Sequence, residues 1–239
     1  MSASITWLRD NRRALESIAD ERAAKVRSLC TEVPLLRDEF SKTLSDTSVD
    51  STYLDRCIDY AMGLTYTKSS LGTSYLSHPL RVAQYILRVL PLVSQEYVAV
   101  ALLHNVPETS AATLDDLETR FGKNVAAGVG TLLVDRTVPF ETIIEAYYAR
   151  LFAAGSELTL IKVFDKFDNL LVLGANANPT VRSTYMNEVR RKLVPWCLAF
   201  DRGLGSYLEQ LLVETEERGY DEELNALVQA AKRKGSQNS

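Results

Sequence analysis

The sequence predicts an all-α protein, a bundle of about nine to eleven helices with no substantial sheet, and three observations carry that prediction. Apolar residues recur at three- and four-residue steps almost throughout. No run alternates apolar and polar residues as half-buried strands do. Helix starts and stops are marked by hydroxyl residues, early acids, Pro and Gly in the expected order.

The stretch "ITWLRDNRRALESIADERAAKVRSLC" places Ile5, Leu8, Leu15, Ile18 and Ala23 on one stripe and predicts a long amphipathic helix. "SKTLSDTSVDST" is rich in Ser, Thr and Asp and reads as a loop leading into a helix at "YLDRCIDYAMGLT". "YTKSSLGTSYLS" is a further loop, after which His78-Pro79 opens a helix, since proline is well tolerated at a first helical position. "SQEYVAVALLHN" is a helix capped by Ser94, apolar on most faces and therefore central. "SAATLDDLETRFG" starts on small and hydroxyl residues, carries acids in its first turns and stops at Gly122. Further helices are expected near 123–134, 138–154, 157–175, 180–201, 204–217 and 221–234, and the tail "KRKGSQNS" is expected to be disordered. The organisation expected is an N-terminal helix and linker over 1–48, one helical domain over 49–217, and a C-terminal helix and tail over 218–239.

Composition narrows the function classes. The chain has 239 residues, 46% of them hydrophobic and 24% charged, with a net charge of −4, enough to bury a sizeable core. Acids and bases are interspersed, so the basic stripe that a sequence-independent nucleic-acid binder uses is missing and no nucleic-acid partner is expected. No stretch offers the roughly 18 uninterrupted apolar residues of a spanning helix, and the start lacks an apolar signal core, so no membrane partner is expected. Cys30, Cys57 and Cys197 are odd in number and far apart, which suits neither a disulfide framework nor a zinc knuckle. A reduced, cytoplasmic protein is the expectation.

Only two histidines occur, His78 where a loop enters a helix and His104 where an apolar helix ends. Such boundary positions let side chains of several helices converge on a cavity. Each imidazole can equally serve a helix terminus alone. In "LIKVFDKFDNLL", Asp165, Asp168 and Asn169 interrupt an otherwise apolar helix, with Asp165 and Asn169 four apart on one face. Carboxylates there cost free energy unless paired or bound to a cation; pairing with Lys162 and Lys166 on a solvated face is the alternative.

Taken together, "H-P-L-x-V-A", "A-L-L-H-N-x-x-E", "T-L-D-D-L-E-x-x-F-G-K-x-V" and "K-V-F-D-K-F-D-N-L" resemble the HD superfamily of metal-dependent phosphohydrolases. Within it the likeness is to the hydrolase domain of RelA/SpoT-type alarmone enzymes and the small stand-alone alarmone hydrolases. It runs over roughly residues 50–215, including "NEVRRKLVPWCLAFDRGLGSYLEQL", and leaves the N-terminal helix outside. The resemblance implies an HD-type helical bundle with one divalent metal, usually manganese, held by residues that fall on His78, His104, Asn105 and Asp165. Such a ligand set leaves open positions on a six-coordinate ion for a water and a phosphate oxygen. It also implies a proton acceptor at Glu108, and Asn169 matches the asparagine that touches the nucleotide. Lys68 and Lys166 are placed to steady phosphates.

Four positions depart from the family's pattern. Asn105 stands in the aspartate position of the His-Asp doublet, an uncharged donor expected to weaken metal binding. Thr109 stands in the position of a second catalytic carboxylate, and Ser69 in that of a guanine-contacting arginine whose planar guanidinium the neighbouring Lys68 does not replace. Pro107 biases Val106 away from helical angles, so Glu108 is expected to leave its place one turn below His104.

Two functions are compatible with this. One is metal-dependent hydrolysis of a phosphorylated nucleotide or related phosphoester, (p)ppGpp 3′-pyrophosphohydrolysis among them, with Glu108 as sole base. The other is a degenerate HD-fold protein without metal catalysis, serving as a nucleotide-binding or protein-interaction module. Di-iron oxygen chemistry needs further histidines, and the chain has none to spare. The apolar stripe of the N-terminal helix is compatible with covering the site, packing on the core or forming a homodimer.

Overall fold

The computed structural model describes residues 15–44, 47, 49–66, 76–90, 92–135 and 137–237. The first helix, α1 (Ile18–Cys30), is capped by Ser17, whose hydroxyl accepts the Asp20 N–H, and carries Asp20 and Glu21 in its first turn. These satisfy orphan N–H groups and suit the positive end of the helix. It is the second half of the long helix expected from the apolar stripe; residues 1–14 lie outside the described residues. A second helix, α2 (Val33–Leu44), buries Val33, Leu36, Phe40 and Leu44 at helical spacing and takes in residues 41–44 of the expected loop. Three polar residues in its last turn mask an apolar face that Phe40 and Leu44 continue.

The central layers follow. Helix α3 (Ser51–Met62) begins where the Asp50 carboxylate accepts from the Thr52 and Tyr53 N–H groups. Then come α4 (Ser77–Val89), α5 (Gln95–Leu103), the short α6 (Val106–Thr109), α7 (Leu114–Phe121) and α8 (Lys123–Leu132). A reciprocal capping box between Thr113 and Asp116 starts α7. Helix α5 is apolar on all faces because it is surrounded: it packs on α3, α4, α8 and α10, and every residue from Val98 to Leu103 is buried. Each of its fully buried leucines contributes about 1.5–3 kcal/mol of transfer free energy. Gly128 lets α8 approach closely, since a Cβ there would stand 2.7 Å from Val100 Cγ2.

The chain continues through α9 (Phe140–Ala153), α10 (Ser156–Leu170), a 3₁₀ turn at Leu173–Ala175, α11 (Pro179–Glu188), a π-helical turn at Val189–Leu193, α12 (Val194–Phe200), α13 (Arg202–Arg218) and α14 (Glu222–Gln237). The single helix expected over 180–201 is thus divided. Pro195 lacks an N–H and its ring crowds the carbonyl four residues back, and the wider π turn just before it absorbs both. The tail expected to be disordered from Lys232 is helical through Gln237. Apart from a single antiparallel bridge between Tyr66 and Ser110, the described residues contain no strand pairing, and the fold is all-α.

Helix α1 packs against α14, and Tyr207 of α13 donates to the Glu16 carbonyl at 2.6 Å. Of the roles open to this helix, packing is the one these contacts display: it buries Ile18, Glu21, Arg22, Lys25 and Ser28. No described helix is long and apolar enough to cross a membrane.

Candidate metal centre

Three helices bring the two histidines and Asp165 together. His78 sits in the first turn of α4, His104 at the C-terminal end of α5, and Asp165 in the middle of α10. One ligand atom from each of the three lies within 4.8 Å of the others. His78 Nε2 is 3.2 Å and His104 Nε2 3.8 Å from the same oxygen, Asp165 Oδ1. The rings meet edge to face, with centroids 5.2 Å apart.

Each ring is oriented by its other nitrogen. His104 Nδ1 is 2.7 Å from the Ala101 carbonyl, which accepts only, so Nδ1 carries the proton and Nε2 presents a lone pair. That Nε2 is buried and has no hydrogen-bond partner among the described residues. His78 Nδ1 is 2.7 Å from Asp168 Oδ2. Burial works against charging His78, but its hydrogen bonds to Asp165 and Asp168 outweigh this and raise its pKa. An unsatisfied buried nitrogen aimed at a carboxylate, beside a second imidazole, is a donor set that fits a divalent cation.

Asp165 is almost wholly buried, and its other oxygen accepts from Lys162 Nζ at 2.9 Å. Asn169 Nδ2 donates to Asp165 Oδ1 at 3.0 Å and to the Asp165 carbonyl at 2.9 Å, as the four-residue spacing requires. Burial opposes ionisation of Asp165, but the adjacent Lys162 ammonium above all holds its carboxyl well below the usual range. The solvated face considered for Asp165 and Asp168 does not exist: Asp168 is 0% exposed. Lys166 pairs instead with Glu188 at 2.8 Å and lies 4.2 Å from the Tyr185 ring centroid.

The short α6 places the remaining residues. Val106 is helical and Pro107 falls at the second position of this new helix, where a missing N–H costs nothing, so a short helix follows the turn at His104–Asn105. The Glu108 N–H donates to the Asn105 carbonyl at 3.1 Å, and Glu108 Oε1 accepts from the Val134 N–H at 3.4 Å. The break therefore falls before the proline, at the His104–Asn105 turn, and Pro107 itself sits inside a helix. Thr109 turns its hydroxyl back to the Asn105 carbonyl at 2.7 Å. Asn105 is half-buried beside His104. Lys68 and Ser69 lie outside the described residues.

Several participants gave no signal in the sequence. Lys25 is charged and in an amphipathic helix, which reads as solvated, yet it is buried against Asp168. Lys162 was visible only as a possible surface partner. Tyr185, whose hydroxyl is buried without a hydrogen-bond partner among the described residues, had no pattern to announce it.

The HD domain family matches residues 59–137, a stretch that holds His78, His104 and Glu108 while leaving Asp165 to the fold. The guanosine-3′,5′-bis(diphosphate) 3′-pyrophosphohydrolase MESH1 of mouse (Mus musculus) is 28% identical over 156 residues, covering 64% of this chain and 85% of that protein. The zebrafish (Danio rerio) protein of the same name is 29% identical over 103 residues, 43% of this chain and 57% of its own length. A solved structure, described as a metazoan ortholog of SpoT that hydrolyzes ppGpp, shares the fold with a TM-score of 0.59 at 22% identity, over 69% of this chain and 96% of that one. The chain thus carries an HD-domain match over about a third of its length and is similar, over a wider stretch, to guanosine-3′,5′-bis(diphosphate) 3′-pyrophosphohydrolases.

Proposed function

We propose that the protein is a metal-dependent phosphohydrolase acting on a phosphorylated nucleotide, with a guanosine 3′-pyrophosphate as the substrate to test first. The observation that carries this reading is the buried His104 Nε2, without a hydrogen-bond partner among the described residues, facing the same Asp165 oxygen that His78 faces. His78, His104 and Asp165 are the cation ligands in this reading, with the Asn105 amide oxygen as an uncharged fourth and manganese as the ion. A divalent cation held there supplies the charge that lowers the pKa of a water and polarises a phosphate oxygen.

The chain's own residues do the rest. Glu108, held near the Val134 N–H, accepts the proton of the attacking water. With Thr109 turned back on the Asn105 carbonyl, Glu108 serves without a second carboxylate. Lys166 and Lys68 steady the phosphates, and Asn169, beside Asp165 on α10, meets a ribose hydroxyl. The similarity to guanosine-3′,5′-bis(diphosphate) 3′-pyrophosphohydrolases supports this substrate class.

The test is the release of pyrophosphate and guanosine diphosphate from guanosine 3′,5′-bis(diphosphate) with manganese present, resolved by ion-exchange chromatography. Turnover by the wild type that disappears in both His78→Ala and Glu108→Gln is expected. Activity that survives either substitution overturns the assignment, and binding of the nucleotide without turnover favours the degenerate, nucleotide-binding alternative.

A further inference from the structure

Asp168 is the most completely buried charge near the candidate centre, and the proposed hydrolysis does not use it. It lies one helical turn after Asp165 on α10, among Phe164, Phe167 and Leu170, all buried. Its Oδ1 accepts from Arg81 Nε at 2.7 Å. Its Oδ2 receives both the Lys25 ammonium and, at 2.7 Å, His78 Nδ1. Lys25 belongs to α1, 143 residues away in sequence and outside the matched HD stretch. Arg81 Nη2 in turn donates to Glu21 Oε2 at 3.2 Å, and Tyr85 donates its hydroxyl to the same oxygen at 2.7 Å. Two residues of α1 are thus joined to α4 and α10 through one charge network.

Buried ion networks are a poor way to gain stability, since well-packed apolar residues of similar volume often do better. One product of this network is specific: it fixes a single nitrogen of His78. With Nδ1 committed to Asp168 Oδ2, the ring cannot rotate about its axis without breaking that bond, and Nε2 stays directed at Asp165 Oδ1, 3.2 Å away. A carboxylate on the distal nitrogen of a metal-binding imidazole fixes its tautomer and ring orientation and raises its basicity.

We infer that Asp168 is the positioning residue for His78, and that Lys25 makes the N-terminal helix a working part of the centre by holding Asp168 in place. This rests on the proposed metal-binding role of His78. Arg81 fixes one carboxylate oxygen; Lys25 shares the other with the imidazole and keeps it from turning away. The helix that lies outside the family resemblance therefore completes the site.

The chain's two histidines make the test direct. Full-length protein labelled with ¹⁵N-histidine, freed of metal, gives two imidazoles whose protonated nitrogens are read by long-range ¹H–¹⁵N correlation. The wild type is expected to show His78 protonated at Nδ1; an unprotonated Nδ1 there overturns the inference before any substitution is made. In Asp168→Asn the His78 pattern is expected to change while His104, tied to Ala101, keeps its own. Manganese affinity, measured by electron paramagnetic resonance of the free ion, should fall about 10–100-fold. Lys25→Met is expected to weaken manganese binding in the same direction, and Lys25→Arg to restore it. Because Asp168→Asn leaves two buried cations short of a counter-charge, the double variant Lys25→Met/Asp168→Asn removes a cation with it and serves where the single variant does not fold. A double variant with wild-type manganese affinity and an unchanged His78 spectrum overturns the proposal. A wild type that binds no manganese sinks the metal-centre reading, while the metal-free spectra still decide whether Asp168 positions His78.

Discussion

His104 Nε2 stands 3.8 Å from Asp165 Oδ1, buried and without a hydrogen-bond donor or acceptor of its own among the described residues. Leaving a buried polar atom unmade costs about 1–3 kcal/mol, and the adjacent Nδ1 shows that this ring is not loosely placed, since it is bonded to Ala101. The arrangement is accounted for when a cation completes it. Neither histidine serves only a helix terminus: His104 Nδ1 meets the carbonyl of its own helix, but the other nitrogen of each ring points at Asp165.

Asn105 offers the first prediction. Ligand charge is a main lever on divalent-cation affinity, and Asn105→Asp adds a carboxylate beside His104. Manganese affinity should rise by at least the ~10-fold that changes around a metal site commonly produce, measured by competition with a chelating dye. Unchanged or weaker binding would mean that Asn105 does not reach the ion.

The packing of α12 on α13 gives a second. A Cβ on Gly205 would stand 2.6 Å from the Leu198 side chain and 2.7 Å from the Leu198 backbone nitrogen. The backbone cannot step aside as a flexible side chain can. Gly205→Ala ordinarily favours a helix by about 1 kcal/mol; here overpacking should reverse the sign and destabilise by about 1–3 kcal/mol. Thermal unfolding would show this as a lowered Tm, and a raised Tm would refute the close approach.

Thiol reactivity gives a third. Burial pushes the Cys57 and Cys197 thiols up to about 12, whereas Cys30 is exposed. The thiolate is the nucleophile, so at pH 8 roughly one part in ten thousand of either buried thiol is reactive, and reactivity grows only as pH climbs toward 12. Iodoacetamide should add once to the native protein, at Cys30, and three times in denaturant. Peptide mapping that finds adducts on Cys57 or Cys197 under native conditions would contradict the burial.

What the sequence revealed follows from what kinds of signal it holds. The all-α class and the central helix were legible because Val98 to Leu103 form an unbroken apolar run. The His78, His104 and Asp165 triad was legible because each has a fixed motif around it, although the residues themselves are 26 and 61 positions apart. Lys25 and Glu21 were not, because a Glu and a Lys four apart on an amphipathic helix read as a surface pair. In the fold they do not pair with each other: Lys25 reaches Asp168, and Glu21 reaches Arg81 and Tyr85. Such long-range partners leave no periodicity. Pro107 misled for the opposite reason: its bias against a helical Val106 is overridden, because the turn at His104–Asn105 opens a new helix in whose first turn Val106 and the proline both fit.

The measurement that tests the central claim most directly is metal content by inductively coupled plasma mass spectrometry. Full-length wild type and His104→Ala are dialysed side by side, first against manganese and then against metal-free buffer. His104 is the decisive position because its buried Nε2 has no hydrogen-bond partner among the described residues. Near-stoichiometric manganese in the wild type that is lost in His104→Ala is the predicted result. A wild type that retains no metal, or a variant that retains as much, would contradict a metal centre built on His78, His104 and Asp165.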